Sequence, residues 1–307
     1  MRLAPDELRA RAADAAQQYR HCRLCAHRCG VDRTRGPSGR CAEGPSVFLA
    51  GAGVHFGEEP PLVGRGGSGV VLIAGCNLAC RSCETYELSL ERRGGVECGP
   101  EQLASVFLDL ERRGAVNLNL VTPTHVLPAL VAGLAAAAER GFALPVVWNC
   151  GGYESVEALR LLEGVVDVYL PDAKYGDDDA GLQLSGCPGY TAALRESLAE
   201  MHRQTGPLCL DALGTARRGV LVRHLVLPEG VAAPEAVMRL VASVSRDLWV
   251  NLLSQYRPVY QARLLPNLSR GVRKGEVQRA LDAARAAGLQ HVLVDGAPAP
   301  LANGHFA

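Results

Sequence analysis

The sequence predicts an α/β protein: a partial (β/α)6 barrel over residues 70–307, preceded by a cysteine-rich, loop-rich metal-binding segment over residues 1–69. Three observations carry that expectation. Short β-branched runs of about five residues alternate with helical patterns of about ten to fifteen, the rhythm of βα units on a parallel sheet. Several helical patterns stop at a glycine (Gly114, Gly141, Gly164, Gly206, Gly288), as helix C-termini tend to do. Seven of the eleven cysteines fall in two groups between Cys22 and Cys83.

Taken in order, residues 4–19 read as a helix with Pro5 in the first turn and Asp6 and Glu7 beside it. Gly30, Gly36, Pro37, Gly39, Gly44 and Pro45 then break any regular element, and a glycine-rich stretch over 64–69 precedes the first apolar run. Strands are expected at 70–74, 116–121, 145–149, 165–170, 220–227 and 248–253, with 291–295 as an extra one. Helices are expected between them at 100–113, 128–140, 155–162, 191–204, 234–245 and 274–287. Six repeats are too few for a closed eight-stranded barrel and too evenly spaced for a plain two-layer sheet, which leaves a doubly wound sheet as the second architecture.

The 307 residues are 48% hydrophobic and 21% charged, with 34 Gly and 18 Pro, which excludes a disordered or collagen-like chain. Thirty-two basic residues balance 32 acidic ones, so no overall field draws in nucleic acid or an anionic membrane, and neither partner is expected. No apolar run approaches the roughly 20 residues of a bilayer span, and the charged start lacks a signal-peptide core, so a cytoplasmic protein is expected. Eleven cysteines are an odd number in a chain too long to need disulfide staples; metal or cluster ligation is the economical reading.

Immediately after the first expected strand stands Cys76-x3-Cys80-x2-Cys83, on a loop at the strand's C-terminal end, where barrel enzymes place their chemistry. Thiolates so closely spaced can converge on one metal centre, and three protein ligands leave one iron of a cubane cluster free for an exogenous ligand. A structural zinc site is instead closed by four ligands, which here would require a borrowed Cys98; three free thiols are the remaining alternative.

The triplet resembles that of the radical S-adenosylmethionine (SAM) superfamily, and the chain is similar to a narrower group of uncharacterised iron-sulfur proteins related to pyruvate formate-lyase activating enzyme. That likeness runs through Cys22-x2-Cys25-x3-Cys29, Gly57-Glu58-Glu59-Pro60-Pro61, the triplet and Tyr86-Glu87-Leu88-Ser89. It continues through Thr122-Pro123-Thr124-His125, Gly152-Tyr153-Glu154, residues 169–175, residues 223–228 and Ser254-Gln255-Tyr256. The resemblance implies a partial TIM-type barrel of the radical SAM type and a [4Fe-4S] cluster on Cys76, Cys80 and Cys83. SAM would chelate the fourth iron, and an electron donor such as flavodoxin or ferredoxin would be the partner. The chain departs from the family at Ser82, where an aromatic residue usually precedes the third cysteine; Tyr86 is the nearby substitute for packing the adenine.

In such a barrel the cofactor's contacts come from the ends of several strands. Thr122 and Thr124 follow the second expected strand, where other superfamily members carry Gly-Gly-Glu; Asn149 ends the third, Asp172 and Lys174 follow the fourth, and Gln255 follows the sixth. Lys174 is one of two lysines in an arginine-rich chain, which marks either a wanted point charge or a solvated loop residue. Arg223, in an expected buried strand, needs a carboxylate: that of SAM or a neighbouring acid such as Asp172. His125 and His224 read equally as proton carriers or structural histidines.

Cys22, Cys25, Cys29 and Cys41 place four thiols among Arg20, Arg23, Arg28, Arg33, Arg35 and Arg40, enough to close a second site. Zn2+ and a second Fe-S cluster both suit it, the arginines offsetting the charge of either; a basic nucleic-acid finger is a third reading. Cys98, Cys150, Cys187 and Cys209 share no spacing and read as buried or incidental thiols. The expected function is reductive SAM cleavage followed by hydrogen abstraction, with a backbone glycine on a partner protein as the target by family analogy. A small-molecule or peptide substrate, and a non-catalytic electron-transfer or metal-sensing protein, are the other readings.

Overall fold

The computed structural model describes residues 3–299; the outermost limits of the two expected domains, 1–2 and 300–307, lie outside them. Its strands are β1 (Val47–His55), β2 (Ser68–Ile73), β3 (Val96–Cys98), β4 (Leu118–Val121), β5 (Val146–Cys150), β6 (Val168–Pro171), β7 (Cys209–Leu210), β8 (Ala216–Leu225), β9 (Trp249–Leu253), β10 (His291–Val294) and β11 (Ala297–Pro298). They form one open sheet in the order β11-β10-β9-β8-β6-β5-β4-β2-β1-β3, with β7 paired to β8. From β2 to β10 every neighbour is parallel; β1, β3, β7 and β11 are antiparallel additions. The chain is thus α/β with a mostly parallel sheet, and all the expected runs, 291–295 included, appear as its parallel strands.

The central strands are buried on both faces, and their side chains alternate between two clusters with the period of two that a pleated strand imposes. Val146 and Trp148 on β5, Tyr169 on β6, Val220 and Val222 on β8 and Val292 on β10 join the large core that the helices cover. Val147, Val168, Leu170, Leu221 and Leu293 point the other way into a smaller cluster, filled by Leu62 from the short helix Pro60–Val63. The helices Pro100–Arg112, Leu127–Glu139, Tyr190–Thr205 and Pro234–Val244 all bury their apolar residues in the large core. The five glycines expected to end helices all take φ between +71° and +89°.

The lead segment departs from the loop-rich expectation. It contains β1, nine residues long, whose Gly51, Ala52 and Gly53 hide the alternation that usually betrays a strand; pairing with β2 supplies what side chains do not. The first helix is Pro5–Ala16, continued by a 3-10 turn to Tyr19. Leu8, Ala15, Tyr19 and Leu24 are buried in the same core as Leu127 and Leu130. A further unexpected helix, Asp178–Ser185, starts where Asp177 accepts a hydrogen bond from the Ala180 amide. No helix among the described residues is long and apolar enough to cross a membrane.

Candidate metal centre and adjoining cavity

β2 delivers the chain to Ala74 and Gly75, where the backbone turns into the triplet loop. Gly75 sits at φ +85°, and a Cβ there would lie 2.3 Å from Glu43 Oε1 and 2.9 Å from His125 Nε2, so no other residue fits. His125 Nε2 bonds the Ala74 carbonyl at 2.8 Å; buried and held this way, it is a structural histidine, and burial lowers its pKa to about 4. The loop then pairs with the end of the Asp178–Ser185 helix, the Ala79 amide donating to the Ser185 carbonyl and the Arg81 amide to that of Leu184. His224, fully buried with Nδ1 2.7 Å from the Ala173 carbonyl, is structural as well.

Each triplet sulfur has a donor or hydroxyl beside it. The Leu78 amide donates to Cys76 Sγ (3.3 Å), Ser185 Oγ donates to Cys80 Sγ (3.0 Å), and Thr85 Oγ1 lies 3.6 Å from Cys83 Sγ. Burial pushes the Cys76 thiol far up, and the neighbouring Cys80 and Cys83 push it further; burial raises Cys80 too. Left to the protein alone, Cys76 and Cys80 stay protonated; a bound positive centre is what would make them thiolates. As they stand, no three His, Cys, Asp or Glu side chains among the described residues gather on a single ion. The donor set is nonetheless soft and open: three thiols on one loop, two of which, Cys80 and Cys83, border a cavity of about 220 Å³.

Asp172 organises the cavity's polar wall. Its two oxygens accept from Lys174 Nζ (2.7 Å) and Arg223 Nε (2.8 Å), while Arg223 Nη2 donates to Asn149 Oδ1 at 2.6 Å. Burial opposes ionisation of Asp172, but the Arg223 and Lys174 charges outweigh it and hold the carboxyl below its usual range. Lys174 is likewise held well above its ordinary value, the Asp172 charge overcoming burial. It is a partly buried member of an ion pair, not a solvated loop lysine. Ser82 and Gln255 also line the cavity.

Of the seven residues expected to hold SAM, Asp172, Lys174, Arg223 and Gln255 border this cavity and Asn149 reaches it through Arg223. Thr124 does not: it is buried, and its hydroxyl donates to Glu154 Oε1 at 2.9 Å. Thr122 adopts φ +59° and binds the Asn149 carbonyl through its amide, outside the cavity lining. Tyr86 stacks on Tyr260, ring centroids 4.7 Å apart. The sequence did not single out Ser185 or Glu58; Glu58 lies 3.9 Å from Arg223, and nothing in the residues around Ser185 announces a sulfur partner.

The front quartet is a second, smaller pocket, lined by Cys22, Cys25, Cys29 and Cys41 together with Asn77 and His125. Burial pushes the Cys25 thiol up to about 12, and the other three cysteines add to it. The Arg40 amide donates to Cys29 Sγ (3.4 Å) and Arg33 Nη1 approaches Cys22 Sγ (3.8 Å). Of the arginine halo, Arg28, Arg33 and Arg40 line the pocket, Arg33 buried and Arg28 paired with Glu157, while Arg35 pairs with Asp32. Asn77 lines the same pocket, and its Nδ2 is a buried donor with no partner. Cys150 and Cys187 are buried singly, Cys209 is exposed, and Cys98 sits on β3 with its thiol on the Val96 carbonyl.

No family model matches this chain. It is similar to an uncharacterized protein of Methanocaldococcus jannaschii, 29% identical over 291 residues that cover 92% of this chain and 79% of the relative.

Proposed function

We propose that the chain is a radical SAM enzyme, with a [4Fe-4S] cluster on Cys76, Cys80 and Cys83 and SAM in the adjoining cavity. The observation that carries this reading is the shared border: Cys80 and Cys83 open onto the same cavity as Asp172, Lys174 and Arg223. When bound, cluster and SAM supply a one-electron cleavage of the sulfonium that yields methionine and a 5′-deoxyadenosyl radical able to abstract hydrogen. The protein's share is positioning. Arg223 and Lys174 present cationic donors suited to a carboxylate, Asp172 fixes both, and Leu225, Leu227 and Leu253 form an apolar wall. Helix coverage of one sheet face and the Leu62 plug on the other support a partial barrel of the radical SAM type over a doubly wound sheet, which carries helices on both faces.

The quartet would hold Zn2+ or a second Fe-S cluster, its partly buried thiols and the Asn77 donor favouring thiolates stabilised by a positive centre. A flavodoxin or ferredoxin would supply the electron, in a cytoplasmic setting, and a glycine on a partner protein is one target the family likeness offers. A non-catalytic reading draws on one observation: Asp172 already engages both cations of the cavity. Anaerobic reconstitution with SAM and dithionite decides between them. Release of 5′-deoxyadenosine, together with loss of about four irons in a Cys76→Ala, Cys80→Ala, Cys83→Ala variant, is the expected result; an iron count unchanged by the triple change, with no deoxyadenosine, would end the enzymatic reading.

A further inference from the structure

The two acids of Gly57-Glu58-Glu59-Pro60-Pro61 have no part in the function proposed above. The loop that carries them leaves β1 at one side of the sheet and crosses to the other. Glu59 Oε1 accepts from Asn251 Nδ2 on β9 (3.1 Å), and Pro60 abuts the turn after β10 so closely that a Cβ on Gly296 would lie 2.8 Å from Pro60 Cδ. Between these contacts lies a second cavity of about 260 Å³, walled by His55, Glu58, Glu59, Asn251 and Asp295. It shares Arg223, Leu253 and Gln255 with the first cavity, so the two are neighbours across three side chains.

The charges in this chamber do not balance. Asp295 is engaged by the Ser254 amide (2.8 Å) and hydroxyl (2.6 Å). Arg223 is committed to Asp172 and lies 3.9 Å from Glu58. Glu59 lines the chamber but is only 6% exposed, and its Oε2 is buried with no hydrogen-bond partner. A buried carboxylate with one oxygen unserved is costly unless a donor, preferably a cation, arrives to meet it. Burial, with the adjacent Glu59 charge, raises the Glu58 carboxyl in spite of Arg223, His55 and the Asn119 side chain.

We propose that this chamber receives a primary ammonium group of the substrate, with the rest of the substrate extending toward the shared wall and the first cavity. A compact three-donor charge can serve Glu59 Oε2 and Glu58 together. A guanidinium fork wants both oxygens of one carboxylate, and Asn251 already holds one of those of Glu59. Free alkyl diamines and peptide lysine side chains share this chemistry. The proposal rests on the radical SAM reading for the identity of the neighbouring cavity, but its test does not use SAM cleavage.

The test is calorimetric titration of the anaerobically reconstituted protein, with and without SAM, using 1,5-diaminopentane, Nα-acetyl-lysine methylamide and 1-pentanol. One of the two amines is expected to bind at one site per chain in the presence of SAM, and which one it is separates a free amine from a peptide substrate. Glu59→Gln, which keeps the oxygen that Asn251 needs, is expected to weaken it at least tenfold, as is Glu58→Gln should the first variant fold poorly. Glu235→Gln, on the remote helix Pro234–Val244, is expected to bind as the parent does. No amine binding, equal binding of 1-pentanol, exclusion of the amine by SAM, or indifference to both glutamate changes would each overturn the proposal. A protein that binds amine without releasing 5′-deoxyadenosine keeps this site and loses the enzymatic reading; one that cleaves SAM yet ignores the amines loses this site alone.

Discussion

His27 Nε2 lies 3.0 Å from the carbonyl oxygen of Asn77, so a side chain between two cysteines of the quartet is bonded to the backbone of the triplet loop. A second tie runs beside it. Arg33 donates through Nη1 to the His125 carbonyl (2.6 Å), and the His125 ring bonds the Ala74 carbonyl at the root of the triplet. The two cysteine loops are therefore one polar unit, and disturbing either disturbs both.

Arg33 is where that unit is most exposed to change. It is 1% accessible, stacks its guanidinium over Tyr19, and also serves the Glu43 (2.9 Å) and Gly44 (2.6 Å) carbonyls. Arg33→Ala strips three carbonyls of their donor and should destabilise the protein by about 3 kcal/mol or more, at roughly 1 kcal/mol or above for each buried group left unserved. Arg33→Lys should recover only part, because an ammonium cannot fork across three acceptors. Thermal melts of both variants against the exposed-site change Arg35→Ala check this; equal melting temperatures for all three would contradict it.

Asp172 carries the balance of the first cavity. Asp172→Asn leaves Lys174 and Arg223 without their carboxylate, and a loss of about 2 kcal/mol at pH 7 is expected, less than for breaking a fully buried pair because the three side chains are partly exposed. Since the folded-state pKa of Asp172 is depressed, its contribution is present above the unfolded value near 4 and disappears as pH falls through the folded one. Denaturation curves of parent and variant should accordingly converge in acid and separate toward neutrality. A gap that does not close on acidification would mean that the charge is not what the variant lost.

The parallel strands were legible in the sequence because their β-branched runs are flanked by glycine and helical periodicity, and the triplet because three cysteines within eight positions have few structural excuses. β1 was not, since Gly51 and Gly53 carry no side chain to alternate. The short helix Asp178–Ser185 was hidden by an opening run of aspartates that reads as a loop and turns out to be its cap and first turn. Asp172 and Lys174 were visible as polar groups after a strand and Arg223 as a charge within one, and pairing with Asp172 was one of the readings open for Arg223, whereas the Lys174–Asp172 pair was not foreseen. Thr124 looked equally well placed; only the fold reveals Glu154, thirty residues on, as its partner. The opposition of Glu59 to Asn251 spans 192 positions and leaves no local trace at all.

Leu62 tests the inner face of the sheet. It is fully buried among Val147, Val168, Leu170, Leu221 and Leu293, strands that do not adjoin it in sequence. Leu62→Ala should open a cavity in the middle of that cluster and destabilise by about 2–5 kcal/mol. Leu213→Ala, at a 69% exposed position, should cost little. Urea denaturation midpoints compare them, and a small effect at Leu62 would mean that this face of the sheet is not the packed cluster described.

Arg270 ties the far side of the domain through two acids, Glu276 (2.7 Å) and Glu229 (2.5 Å), from the last long helix and from the turn before the Pro234–Val244 helix. The Arg270 hydrogen bond is the main reason that the Glu276 carboxyl is lowered to about 2; the Arg273 and Glu229 amides add to it. A depressed carboxylate stabilises the fold above its unfolded pKa, near 4.3, and that stabilisation is lost as pH falls toward the folded value. Because the pair is partly solvated, the gain is discounted to about 1 kcal/mol at neutral pH. Glu276→Gln should therefore lower stability by about that amount at pH 7 and by almost nothing near pH 2, and 1 M salt should shrink the difference at neutrality. Melting curves at both pH values decide it, with an undiminished difference in acid counting against the ion pair as its source.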